Sequence, residues 1–167
     1  MKALIVVDMQ NDFVNGALGT KEAEEIVPNV KKKIQEYAEN GYSIIFTRDT
    51  HTEDYLRTNE GKNLPVIHCV KGTQGWQIFD GLEIENCTYV DKPTFGWTGW
   101  QGMDFESIEL IGVCTDICVV SNALILKALY PEIDISVDAS CCAGVTPETH
   151  KAALDTMRCC QIIIKGE

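Results

Sequence analysis

No run of apolar residues in this chain approaches the roughly 20 that a membrane-spanning helix needs. Positive charge is scarce as well: 14 Lys and Arg stand against 25 Asp and Glu, for a formal net charge of -11. No basic stripe offsets the imbalance, so neither nucleic acid nor an anionic membrane is an expected partner. A Gly-rich fingerprint after the first apolar run is missing, which argues against a dinucleotide site. C-x-x-C pairs of the zinc-ribbon kind are missing too. Among the eight cysteines, Cys141-Cys142 and Cys159-Cys160 are vicinal pairs, and no signal peptide points to an oxidising compartment. Reduced thiols are expected, most of them as small core residues. The opening MKALIVVDMQ has one Lys and no small-residue cleavage site, so it reads as a strand and the protein as cytoplasmic. Internal repeats, linkers and low-complexity segments are absent.

What is present is an alternation of two periodicities. Apolar, β-rich runs at Ala3–Val7, Tyr42–Thr47, Cys87–Val90, Ile108–Val113, Ile133–Val137 and Gln161–Ile164 predict six strands. Between them, Glu22–Asn40 carries Ile26, Val30, Ile34, Tyr37 and Ala38 at helical spacing and is closed by Gly41. A second helix follows Asp116, and a third, over Pro147–Met157, is opened by Thr146 and Pro147. The expected fold is therefore α/β: a doubly wound, mostly parallel six-stranded sheet with helices on both faces. With 167 residues and 45% hydrophobic content, one domain over residues 1–167 is expected.

In a doubly wound sheet ordered 3-2-1-4-5-6 the binding crevice lies between strands one and four, at the carboxyl edge. Asp8 ends strand one, Lys92 follows strand three, and Cys118 follows strand four. Strand two delivers Arg48, Asp49 and His51 to the same edge. Cys118 lies in the stretch Ser107–Leu126, which reads as a strand turning sharply into a helix. Asp116 as N-cap would place Cys118 in the first helical turn, where the helix dipole makes a thiol easier to ionise.

Each of these residues has a structural alternative. Asp8 is either a turn residue or a catalytic group at the sheet edge, and Cys118 is either a core cysteine or a nucleophile. For a carbonyl substrate held between them, Asp8 takes the proton of Cys118, the sulfur attacks the carbonyl carbon, and Asp8 returns the proton to the departing amine. Water then cleaves the thioester. Lys92 would hold Asp8 and favour the thiolate, while backbone N–H groups near Cys114 and Cys118 would stabilise the oxyanion. No histidine is needed, and His150 is expected on a solvent-exposed helix face. The aromatics of FGWTGW, Phe95 to Trp100, are either packing plugs or the walls of a pocket for a flat ligand.

These residues resemble the cysteine hydrolases of the isochorismatase-like superfamily, and within it the nicotinamidases. The resemblance runs over nearly the whole chain through VVDMQNDF (6–13), TRDTH (47–51), HCVKGTQGW (68–76), DKPTFG (91–96) and GVCTDICV (112–119). It implies a triad of Asp8, Lys92 and Cys118, and a cis peptide bond between Val113 and Cys114 that turns the N–H groups of Cys114 and Cys118 toward the oxyanion. It also implies a divalent metal on Asp49, His51 and His68, with Glu60 as fourth ligand and Cys69 uninvolved. Zinc is the first expectation, and manganese and iron suit the same oxygen and imidazole donors. Leu64-Pro65 stands where some members place an aromatic that stacks on the substrate ring, so Phe13, Phe95 or Trp97 would supply that wall. The implied activity is hydrolysis of nicotinamide to nicotinate and ammonia through a cysteine thioester, in NAD salvage. Another small amide or ureido substrate is the first alternative, and a non-catalytic thiol-based redox sensor is the second. Relatives commonly form dimers or tetramers, which makes a homo-oligomer the expectation.

Overall fold

Lys2–Val7 forms β1 in the computed structural model, which describes residues 1–167. Its side chains alternate between two cores: Ala3, Ile5 and Val7 join one cluster of buried apolar residues, Leu4 and Val6 the other. A central strand buried on both faces requires a covering layer on each. One layer is α2, Lys21–Glu39, which contributes Ala23, Ile26, Val30 and Ile34 to the second cluster. The other is made by α4, Val120–Leu129, and α5, Pro147–Cys159, through Ala123, Leu126, Leu154 and Met157. Thr20 caps α2 by accepting from the Ala23 N–H at 3.1 Å, and Thr146 opens α5 with a reciprocal Thr146–Thr149 capping box.

The remaining strands are β2, Ser43–Asp49; β3, Thr88–Lys92; β4, Ser107–Val113; β5, Asp134–Ala143; and β6, Ile163–Lys165. Their order is β3-β2-β1-β4-β5-β6, and every pairing is parallel. This is the doubly wound sheet read from the sequence, with the winding reversing between β1 and β4. Two short helices were not anticipated: α1, Asn11–Val14, and α3, Asn59–Asn63. No helix is long and apolar enough to cross a membrane.

Most strand boundaries fall within a residue or two of expectation, and three strands continue past the expected carboxyl end into polar residues. β3 runs through Asp91 and Lys92, β2 through Arg48 and Asp49, and β5 through Asp138 to Ala143. In each case polar residues that end an apolar pattern remain in the ladder with their charges paired: Lys92 with Asp8, Arg48 with Asp91 and Asp138 with Lys33.

The strand ends are brought close by Gly112. It pairs with Val7 across the β1–β4 ladder at φ 116°, and a β-carbon there would collide with the Val7 carbonyl. Directly after it, the Val113–Cys114 peptide bond is cis, as the resemblance implied.

Candidate active site

Sheet register accounts for the meeting of residues far apart in sequence. Asp49 and Lys92 are paired end residues of β2 and β3, and Asp8 follows Val7, which pairs with Thr47 of β2. Asp8, Asp49 and Lys92 therefore sit side by side at one carboxyl edge, and the turn after β4 brings Cys118 over them. The Lys92 ammonium is fully buried, 2.6 Å from Asp8 Oδ2, 3.6 Å from Cys118 Sγ and 3.8 Å from Asp49 Oδ1, and it donates to the Thr94 carbonyl at 3.2 Å. Asp8 adopts φ 48°, the left-handed region that few non-glycine residues occupy, and Thr47 fixes its carboxylate by donating to Oδ1 at 2.6 Å.

Cys118 lies in a single π-helical turn, Thr115–Val119, that leads into α4. Such turns often mark functional sites, because the wider winding re-aims side chains. The expected Asp116 N-cap is not made. Cys114 holds the cap position without a side-chain bond, and Asp116 instead accepts from the Val145 N–H at 3.1 and 3.2 Å. Nor is the thiol eased toward ionisation by its helical position. Burial, reinforced by the nearby Asp8 charge, pushes the Cys118 thiol well up, and Lys92 offsets this only in part. Burial also raises the Asp8 carboxyl against the pull of Lys92. Burial opposes the charge on Lys92, but the nearby Asp8 and Asp49 carboxyl groups outweigh that cost and keep it a cation. The resting pair is thus a thiol beside a carboxyl of raised proton affinity, suited to passing a proton between them.

Cys118 is 5% exposed, yet it is not sealed in the interior. It forms part of a cavity of about 320 Å³ with Phe13, Leu18, Leu64, Phe95, Cys114 and Ile117 as its apolar and sulfur-bearing walls, and with Asp49, Glu60 and His68 at one side. Burial pushes the Cys114 thiol up to about 12 as well; Cys118 differs in having the Lys92 ammonium at its sulfur. Of the three aromatics expected to line the site, Phe13 and Phe95 do so and Trp97 does not. The Trp97 ring packs edge-on against Trp100 at 4.7 Å, on the core side of the loop. Phe13 also meets His68 in a T-shaped contact at 5.5 Å.

Asp49, His51, Glu60 and His68 come together beside this cavity, with one potential ligand atom from each lying within 4.8 Å of all the others. His51 Nε2 is 2.9 Å and His68 Nε2 3.4 Å from Asp49 Oδ2, while Glu60 Oε1 lies 3.5 and 3.8 Å from the same two nitrogens. The residues fit a divalent cation on two observations. Asp49 Oδ1 is buried without a hydrogen-bond partner and faces only the Lys92 ammonium, 3.8 Å away and held more closely by Asp8, so this carboxylate is left short of positive charge. His68 Nδ1 donates to the Val66 carbonyl at 2.7 Å, which leaves the Nε2 lone pair free to ligate. Burial opposes the charge on Asp49, but without an ion in the cluster the hydrogen bonds it accepts from His51 and His68 hold its carboxyl well below the usual range. Glu60 is raised, by burial and by Asp49. Cys69 stays out of the cluster and donates its N–H to Asp12 Oδ2 at 2.8 Å.

Several supporting residues escaped the sequence reading. Gln10 is fully buried and grips the Asp49 backbone, accepting from its N–H at 2.7 Å and donating to its carbonyl at 2.9 Å. His150 is half-buried rather than solvent-exposed, and its Nδ1 lies 2.7 Å from the hydroxyl of fully buried Thr115. Asn122 binds both the Cys118 carbonyl and the aromatic loop. Gln10 stood within a quoted motif, but nothing in sequence spacing distinguishes the other two.

Comparison with known proteins agrees with this geometry. The isochorismatase domain model matches residues 2–167. A nicotinamidase/pyrazinamidase from Mycobacterium tuberculosis is 27% identical, with 95% of each chain covered. An Arabidopsis thaliana protein described as a probable inactive nicotinamidase is 29% identical over 93% of this chain and 87% of its own. Among solved structures, the pyrazinamidase of Pyrococcus horikoshii in complex with zinc superposes with a TM-score of 0.82 at 31% identity, covering 98% of this chain and 97% of the other.

Proposed function

The chain belongs to the isochorismatase family, and from that premise we propose that it is a metal-dependent amidase that hydrolyses nicotinamide to nicotinate and ammonia, in NAD salvage. The observation that carries the reading is the buried Lys92 ammonium lying between Asp8 and Cys118, with Cys118 in the wall of a largely apolar cavity bordered by a metal-ligand cluster. Nicotinamidase and pyrazinamidase relatives, one of them zinc-bound, support the substrate class.

The carboxamide enters with its carbon against Cys118 Sγ and its ring between the apolar walls, Phe13 and Phe95 among them. Asp8 accepts the thiol proton as the sulfur attacks, giving a tetrahedral oxyanion for which the backbone N–H groups of Cys114 and Cys118 are the donors. The C–N bond breaks as Asp8 passes its proton to nitrogen, releasing ammonia and leaving an acyl-thioester on Cys118. Asp8 then takes a proton from water, whose oxygen attacks the thioester carbon. The acid departs, and the thiol is restored with the proton returned by Asp8. Lys92 remains charged throughout and holds Asp8 in register. A divalent ion bound by Asp49, His51, Glu60 and His68, zinc foremost, would supply a Lewis-acid contact for the ring nitrogen.

Ammonia release from nicotinamide by the metal-loaded chain tests the proposal. Activity is expected to fall to background in Cys118→Ala and after chelation, and to return when zinc is restored to the wild-type protein. Turnover by Cys118→Ala would overturn the reading.

A further inference from the structure

Asn122 lies one helical turn beyond Cys118 and is fully buried in α4. Its side-chain oxygen accepts from the Trp97 N–H at 2.9 Å and from Trp100 Nε1–H at 3.0 Å. Its amide nitrogen donates to the Cys118 carbonyl at 2.8 Å and to the Phe95 carbonyl at 3.2 Å. Two N–H donors on one side and two carbonyls on the other use the whole capacity of the amide and permit only one orientation of it. Three of the four partners belong to the loop that leaves β3 at Lys92, and the fourth is the residue carrying the sulfur. The loop lies directly on α4 here, since a β-carbon at Gly96 would meet Ile125 and Ser121. The same loop presents Phe95 to the cavity and receives Lys92 Nζ at the Thr94 carbonyl.

We infer that Asn122 is a positioning residue that locks the aromatic loop to the nucleophile turn, so that the cavity wall, the ammonium and the sulfur keep one mutual geometry. The inference rests on the reading of Cys118 as the nucleophile and of nicotinamide as a substrate. Asn122 touches neither substrate nor reacting atoms. Its effect is transmitted through the backbone of Phe95 and Cys118.

Two variants of similar size separate this role from simple packing. Asn122→Leu removes all four bonds. Asn122→Asp keeps the oxygen that serves Trp97 and Trp100 but turns a second oxygen toward the carbonyls of Cys118 and Phe95. In the metal-loaded full chain, kcat and KM for nicotinamide are measured below each variant's melting temperature, together with the near-ultraviolet tryptophan spectrum. The leucine variant is expected to lose about a hundredfold in kcat/KM, the scale of a ~1 Å misplacement, with a changed tryptophan spectrum. The aspartate variant is expected to keep the wild-type spectrum and still lose at least about tenfold, because the Cys118 side of the lock alone is broken. If the leucine variant does not fold, the aspartate variant decides. Lowered melting temperature with wild-type kcat/KM in the folded variants would overturn the inference and leave Asn122 a packing residue. Wild-type protein inert toward nicotinamide would instead sink the substrate reading, which distinguishes the two failures.

Discussion

Asp8 carries two duties that one substitution can separate. Its carboxylate accepts from Thr47 and pairs with Lys92, and in the proposed reaction it also moves the proton of Cys118. Asp8→Asn keeps the shape and an acceptor for Thr47 but cannot take a proton. Its turnover of nicotinamide is expected to fall by about 10² to 10⁴-fold, the usual worth of a positioned general base. The buried ammonium also loses its partner, so a lower melting temperature accompanies the loss. Rates taken below that temperature, against a parallel melting curve, check the prediction; a folded Asp8→Asn enzyme of wild-type rate would refute the role. At this scale the site was legible where side-chain chemistry is distinctive: an acid, a lysine and a cysteine, each at a strand end. It was illegible where a residue acts through hydrogen-bond count. Trp97 and Phe95 look alike in FGWTGW, yet only Phe95 faces the cavity. Asn122, which holds both, sits in an apolar helix where an asparagine reads as a blemish.

Between elements, the least expected feature is a buried ionic cluster on the α2 side of the sheet. Lys33 of α2 lies 2.9 Å from both Glu109 of β4 and Asp138 of β5, and Lys165 of β6 meets the other oxygen of Glu109 at 2.5 Å. This cluster is why β5 continues past Val137: Asp138 stays in the ladder because Lys33 reaches down to it. An apolar pattern cannot announce such a partner 105 positions away, as Lys33 and Asp138 are. Burial opposes the charge on Glu109 and Asp138, but hydrogen bonds from Lys165 and Lys33 to Glu109, and from Ser140 and Lys33 to Asp138, hold both carboxyls below their ordinary values of 4.5 and 3.8. Folded-state values below the unfolded ones mean that the unfolded chain binds protons first as pH falls. The stabilisation is complete above about pH 5 and is lost as acid drives the pH down through the folded-state values. Chemical denaturation between pH 7 and pH 3 is therefore expected to show a stability decline beginning below about pH 4.5 that is shallower in Glu109→Gln. At pH 7 the substitution is expected to cost about 2 to 3 kcal/mol, below the usual figure for a broken buried pair because Lys165 is half exposed. An unchanged pH slope in the variant would show that the cluster does not govern acid stability.

Across the whole molecule, charge and shape agree on the kind of ligand admitted. The chain carries a formal net charge of -11, and the cavity walls include the carboxylates of Asp49 and Glu60 but no lysine or arginine. In the proposed reading the divalent ion balances those carboxylates, and the mostly apolar walls suit an uncharged aromatic amide. The doubly wound architecture was readable because each strand's apolar run and each helix's spacing pointed the same way. The cavity was not, because its walls come from α1, the end of β2, the segment around α3, the loop after β3 and the turn after β4, which only the fold assembles. The most direct measurement of the central claim is acid-quenched mass spectrometry of the metal-loaded protein during nicotinamide turnover, with peptide mapping. A nicotinoyl adduct confined to the peptide bearing Cys118, absent from Cys118→Ala, is the predicted result. Sustained turnover with no acyl group on that cysteine, or an adduct on another residue, would contradict the account.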